Sequence, residues 1–339
     1  MVRLTRSVKT SGCAAKLPSK TLNEILSSLP LMEDENLIVG FETSDDALVY
    51  DLDGENLLVE SVDFFPPVAD DPYEFGQVAA ANALSDLYAM GAVPKLAMNI
   101  MCFPSCMDLS IMKDILLGAQ DKAREAGCVI AGGHTIADST IKFGLAVTGF
   151  TTKKRLWTNK SAREGDVIVI TKKLGVGIIN TAAKAEMADE CDLKAALESM
   201  KTLNKKAFET ACLYDIHAAT DITGFSLLGH LYEMAEAASL SVRLDSSSLP
   251  YFSASPELAR LGLIPEGAYH NRDYIEDKVH FASSVPRELS DIMFDPQTSG
   301  PLCLAMSEDD ALSFVREFGE PAAIIGCFTA RGGSVIDVS

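Results

Sequence analysis

Apolar residues recur along the chain with two different spacings, and the switches between them mark out alternating helices and strands. Leu22, Ile25 and Leu26 share one side of a helix expected over 20–29. Strands are expected over 47–52 and 56–63, divided by the turn Asp53-Gly54. An Ala-rich helix follows over 73–90 and stops at Gly91, a residue suited to ending helices. A strand over 95–102, a helix over 108–126, a short strand over 128–131 and a longer one over 142–151 come next. This βαββαβ-like alternation predicts an α+β domain whose helices lie on one sheet face. The polar, basic stretches 152–155 and 160–165 read as a linker. Beyond it the pattern predicts a strand over 166–172, helices between 177 and 214, a helix over 225–238 and a strand over 239–244. A strand–helix–strand unit runs from 301 to the end. Three parts are therefore expected: a flexible N-terminal loop over 1–18, an N-terminal domain over 19–155 and a C-terminal α/β domain over 156–339.

Composition narrows the possible functions. With 339 residues, 47% hydrophobic and 23% charged, the chain reads as a soluble globular protein long enough for two cores. Its 29 basic and 48 acidic residues give a formal net charge of −19. A nucleic-acid partner is not expected, because a phosphate backbone needs a basic face. A nucleotide substrate stays compatible where divalent cations stand between carboxylates and phosphates. No apolar run reaches the roughly eighteen residues of a membrane span, and the basic start from Met1 to Arg6 lacks an apolar signal core. The expected location is cytoplasmic.

The eight cysteines form no CxxC pair, and Cys102 and Cys106 lack the further ligands of a zinc site. Most lie in apolar runs and read as core. Cys13 differs. In Thr10-Ser11-Gly12-Cys13-Ala14-Ala15-Lys16 a thiol and an ammonium stand three apart among small residues, and a nearby cation favours the thiolate.

Several acidic motifs follow. Thr43-Ser44-Asp45-Asp46 enters a strand with two adjacent carboxylates, which repel unless a cation or donors neutralise them. Asp63 stands at a strand end before Pro66-Pro67, in a position suited to function or to a simple turn. Asn82 and Asp86 are i, i+4 on an otherwise small and apolar helix, so one polar stripe needs a partner or a metal. Gly132-Gly133-His134 follows a short strand; the glycine amides suit a turn or an anion-binding nest, and His134 suits a phosphate or a backbone carbonyl. Asp221 opens a helix, as its cap or as a metal ligand.

Together these pieces resemble the selenophosphate synthetase (selenide, water dikinase) family over nearly the whole chain, from Arg3-Leu4-Thr5 through Asp295-Pro296-Gln297-Thr298-Ser299-Gly300 to Arg331-Gly332-Gly333. The resemblance implies a fold shared with aminoimidazole-ribonucleotide synthetase and thiamine-monophosphate kinase. In that fold the N-terminal domains of a homodimer pair their sheets into a barrel, with ATP near the interface. The family's catalytic cysteine or selenocysteine falls on Cys13 and its required lysine on Lys16. Its magnesium aspartates fall on Asp46, Asp86 and Asp221. Its ATP contacts fall on Lys16, Thr43, Ser44, Asp45, Asp63, Gly132, Gly133 and His134. The implied reaction turns ATP, selenide and water into selenophosphate, AMP and phosphate, with Mg²⁺ and room for a monovalent cation and a selenium-delivery protein. This chain departs from the family pattern at Ala15, where many bacterial members carry a second cysteine. It departs again at Ser226 and Pro301, where the pattern has glycine.

Overall fold

In the computed structural model the strands build two sheets. The structure describes residues 3–17, 19–26, 28–30, 34–40 and 45–339. After helix α1 (Ser19–Leu26), the first sheet takes β1 (Leu37–Val39), β2 (Leu48–Asp51), β3 (Asn56–Phe65), β4 (Val93–Phe103), β5 (Val129–Ala137) and β6 (Lys142–Thr152), in the order β1-β2-β3-β6-β4-β5. Helices α2 (Pro72–Ala89) and α3 (Leu109–Ala126) pack against each other on one face, as the alternation predicts. Leu57, Val59, Phe143, Leu145 and Val147 are buried beneath them. β3 and β6 pair without a bulge, so Val62 and Phe64 point to the opposite, open face.

Asp71 caps α2 by accepting the Glu74 N–H at 2.9 Å, and Pro72 supplies the pre-set φ of a first helical residue. From Phe75 to Ala89 nearly every residue of α2 is buried. A helix apolar on all sides lies inside the molecule, which is why Asn82, Ser85 and Asp86 on it have no access to bulk water.

The second sheet takes β7 (Val167–Ile170), β8 (Ile216–Asp221), β9 (Ser241–Leu244), β10 (Val279–Phe281), β11 (Leu302–Met306), β12 (Ala323–Thr329) and β13 (Ile336–Val338), ordered β10-β13-β9-β12-β7-β11-β8. Around it lie α4 (Val176–Lys184), α5 (Glu190–Lys201), α6 (Lys205–Ala211), α7 (Ser226–Ala238), α8 (Ser255–Arg260), α9 (Glu266–Ile275), α10 (Arg287–Phe294) and α11 (Glu308–Phe318). β8, β10 and α8 to α10 were not expected from the sequence, being short segments without a sustained period.

Two local departures matter. β5 runs on through Gly132-Gly133-His134, where a turn or nest was expected. These residues pair with Met98, Asn99 and Ile100 of β4 beside a bulge, and a Cβ on Gly133 would lie 2.4 Å from the Asn99 carbonyl oxygen. Glycine here admits a neighbouring strand. Ser226 has φ +70° at the start of α7, the left-handed region that suits the glycine of the family pattern. Ser226→Gly is expected to stabilise the fold by about 1 kcal/mol, read as a higher denaturant midpoint. Pro301 is better accommodated: it precedes β11, and its carbonyl accepts the Ile222 N–H at 2.9 Å.

Candidate active site

α2 sets Asn82 and Asp86 one turn apart on the side facing β3. β3 turns Ser61 and Asp63 towards them, since alternate residues share a face. Ser61 Oγ donates to Asp86 Oδ2, and Asn82 Nδ2 donates to Asp63 Oδ2 at 2.6 Å. The segment entering β2 carries Asp46 up to β8, where Thr220 Oγ1 donates to Asp46 Oδ1 at 3.0 Å. β8 ends on Asp221, and α7 begins only at Ser226 behind Phe225, so Asp221 is not the cap of that helix. Asp45 accepts the Asn159 N–H at 2.7 Å.

The leading segment, expected as a flexible loop, is docked between the two sheet systems. Leu4 is fully buried, and Thr5 donates through N and Oγ1 to Asp70 at 3.0 and 2.6 Å. Arg3 and Arg6 both pair with Glu186, and Lys184 donates to the carbonyls of Val8 and Lys9. Gly12, at φ +58°, brings the chain so close to Thr298 that a Cβ would stand 2.3 Å from its Oγ1. That hydroxyl accepts the Cys13 N–H at 3.1 Å.

Cys13 is consequently 1% exposed, and its Sγ–H donates to Asn82 Oδ1 at 3.2 Å. The same oxygen accepts the Ser299 N–H at 2.8 Å. Lys16 Nζ lies 3.2 Å from Asp63 Oδ1. Asn82 thus ties the thiol on one side to the carboxylate that holds the ammonium on the other.

The electrostatics correct one expectation. Lys16 was expected to favour a Cys13 thiolate, but burial raises the thiol well above its ordinary range, and Lys16 only partly opposes this. Burial therefore favours the neutral thiol over the thiolate at Cys13. Burial also works against the Lys16 charge, yet Asp63 foremost among the acids holds the ammonium above the usual lysine range. Burial raises Asp46, Asp86 and Asp221 too. Asp221 and Asp86 push Asp46 further up, and Asp63 and Asp221 do the same to Asp86.

Buried carboxylates that repel one another need a positive centre. Asp46 Oδ2 and Asp221 Oδ2 are buried and find no hydrogen-bond partner among the described residues. Among the described residues no three acidic, histidine or cysteine side chains are close enough to enclose a metal as they stand. The donor set is nevertheless right for Mg²⁺, which takes one or two carboxylates and leaves other positions to water and phosphate oxygens. The residues fit the ion.

Of the expected nucleotide contacts, Thr43 and Ser44 lie outside the described residues. Lys16 and Asp63 meet the acidic group. Gly132, Gly133 and His134 do not: they are exposed on edge strand β5, three strand spacings or about 14 Å from β3.

Residues 44–151 match the family described as AIR synthase related protein, N-terminal domain, and residues 163–339 match its C-terminal domain. A selenide, water dikinase of Clostridium botulinum is 52% identical over 338 residues, covering 99% of this chain and 98% of that protein. One of Treponema denticola is 45% identical over 345 residues, covering 99% and 97%. The chain belongs to the selenide, water dikinase family. Solved structures agree on the fold of such dikinases. Thiamine-monophosphate kinase of Stenotrophomonas maltophilia superposes with a TM-score of 0.67 at 19% identity, covering 97% of this chain and 98% of that one. A hydrogenase maturation protein HypE in complex with ATP gives 0.63 at 19%, covering 94% and 91%. No helix among the described residues is long and apolar enough to cross a membrane.

No local signal marks a role for Ser61, Ser85, Thr220, Thr298 or Ser299, whose hydroxyls and amides bond within this buried group. Thr298 and Ser299 sit in a recognisable motif, but nothing local indicates that Thr298 meets a residue 285 positions away.

Proposed function

We infer that the protein makes selenophosphate from ATP, selenide and water, releasing AMP and phosphate, as a cytoplasmic homodimer. The observation that carries this is the convergence of the Cys13 thiol and the Lys16 ammonium, through Asn82 and Asp63, on buried carboxylates with unpartnered oxygens. Asp46, Asp86 and Asp221 would hold Mg²⁺, which when bound neutralises polyphosphate charge and aligns the γ-phosphoryl group. Asp63, already linked to Lys16 and Asn82, steadies the cation that faces the phosphates. Lys16 stabilises charge developing on the transferred group. The docked N-terminal segment keeps out water that would compete with selenide. Selenium attacks the γ-phosphorus as the anhydride P–O bond breaks, and one water cleaves the remaining anhydride to AMP and orthophosphate. Hydroselenide is already an anion, so the transfer needs no strong general base. Cys13 presents the hydroselenide beside the phosphoryl group without bonding to it.

A second copy completes the nucleotide site. The open face of the first sheet exposes Val62, Phe64, Leu96, Met98, Val129 and Ile136, an apolar surface of the kind that a partner covers. Pairing these faces into a barrel brings the partner's edge strand, with its diglycine and histidine, towards this chain's acidic group. Met98→Asp is expected to yield a monomer by light scattering, with at least roughly tenfold weaker ATP binding. A wild-type monomer would contradict the pairing.

³¹P NMR of the protein with ATP, Mg²⁺ and selenide tests the reaction. A phosphorus–selenium resonance appearing with AMP supports it, whereas ADP alone points to a simple kinase of this fold.

A further inference from the structure

Lys172 follows β7 and is buried, yet no ion-pair partner meets it among the described residues. Its Nζ donates to two backbone carbonyls, Thr202 O at 2.7 Å and Ser299 O at 2.8 Å. Burial pushes this ammonium down to about 7, against the pull of Asp221. A buried amine without a counter-charge is poor packing chemistry, and an apolar side chain of similar length would suit the core better. Its two bonds have a specific consequence at Ser299.

Ser299 is one of four non-glycine residues with positive φ among the described residues, at +49°. Its hydroxyl is buried without a partner among the described residues, so the side chain does not hold this conformation. The backbone does: its carbonyl accepts from Lys172, and its N–H donates to Asn82 Oδ1 at 2.8 Å. That amide oxygen also accepts the Cys13 thiol, and the adjacent Thr298 hydroxyl accepts the Cys13 N–H. Both holds on Cys13 therefore meet the 298–299 segment: one is the Thr298 hydroxyl, and the other, Asn82 Oδ1, is steadied by the Ser299 N–H while Asp63 holds the amide's other end.

We propose that Lys172 is a positioning residue: by pinning Ser299 in the left-handed region it keeps Asn82 and Thr298 aimed at Cys13, and so fixes where the thiol stands. Without the amine, Ser299 relaxes to negative φ, its N–H leaves Asn82, the amide is held from the Asp63 side alone, and the thiol is held less firmly and becomes more accessible.

The test is the rate at which iodoacetamide modifies Cys13 in the full-length protein, followed by mass spectrometry of its peptide, with buried Cys303 as internal reference. Lys172→Met is expected to speed Cys13 modification about tenfold, the order set by the cost of a left-handed non-glycine residue. It also raises KM for selenide while leaving KM for ATP within about twofold. Adding Ser299→Gly restores both, because glycine holds positive φ without a Cβ clash; a merely structural role for Lys172 gives no such rescue. Ser299→Thr, a β-branched residue poorly suited to this φ, reproduces the exposed thiol with Lys172 intact and serves if Lys172→Met does not fold. An unchanged modification rate in Lys172→Met or Ser299→Thr, or no rescue by Ser299→Gly, overturns the proposal. The KM arm rests on the proposed dikinase reaction, but the modification arm does not. Rescue of the modification rate in a protein that makes no selenophosphate would reject that reaction alone.

Discussion

Asp221→Asn is expected to lower kcat/KM for ATP by more than about 100-fold, since even a residue that only supports a metal ligand is worth 10- to 100-fold. The same change is expected to stabilise the metal-free protein. Burial holds Asp46, Asp86 and Asp221 above the ordinary carboxylate range, and neighbouring acids add to it. A carboxyl whose pKa is raised by folding binds its proton more tightly in the folded state. Metal-free stability should therefore rise as pH falls from those raised values towards the unfolded one, and be lost as pH climbs back. Mg²⁺ should remove most of this slope by stabilising the charged forms. Asparagine at 221 deletes one of the repelling charges, so its metal-free melting temperature should exceed that of the wild type at neutral pH. Thermal melts with and without Mg²⁺ check all three statements. A variant that kept a wild-type Mg²⁺-induced rise in melting temperature would remove Asp221 from the metal group.

Lys16→Met should reduce kcat by about 10²- to 10³-fold, the range for losing one donor aimed at developing charge. The loss should fall mainly on kcat, because the cation matters most as charge builds on the transferred phosphoryl group. Removing it also leaves Asp63, among the described residues, with the Asn82 amide as its side-chain hydrogen-bond donor. A near-normal kcat with a raised KM for ATP would show Lys16 to be a ground-state binding residue only. Single-turnover measurements of AMP formation separate the two outcomes.

Much of the scaffold could be read from the chain before any coordinates. The spacing of Asn82 and Asp86 marked one stripe of α2, and Ala-rich composition with Gly91 marked the helix that carries it. Cys13 and Lys16 stood out because thiol and ammonium fall in one local motif. The parts that stayed hidden are tertiary. Asp46 and Thr220 lie 174 positions apart, and no local pattern announces their hydrogen bond. The thiolate expectation failed because proximity in sequence reveals a neighbouring charge but not the burial that outweighs it. Gly132-Gly133 misled for a similar reason: two glycines admit a turn, but here Gly133 admits a close neighbouring strand and Gly132 stands in open space. Lys172 gave no signal at all, since a lysine in a polar context looks solvated until its carbonyl partners are seen.

The account stands on Asp46, Asp86 and Asp221 sharing divalent cations beside the docked Cys13–Lys16 segment. Crystals grown with Mn²⁺ and a non-hydrolysable ATP analogue would decide it through anomalous diffraction. The expected result is one or more manganese peaks bound by these three carboxylates and by phosphate oxygens. Peaks held by other residues, or a nucleotide bound with these carboxylates turned away from it, would contradict the account.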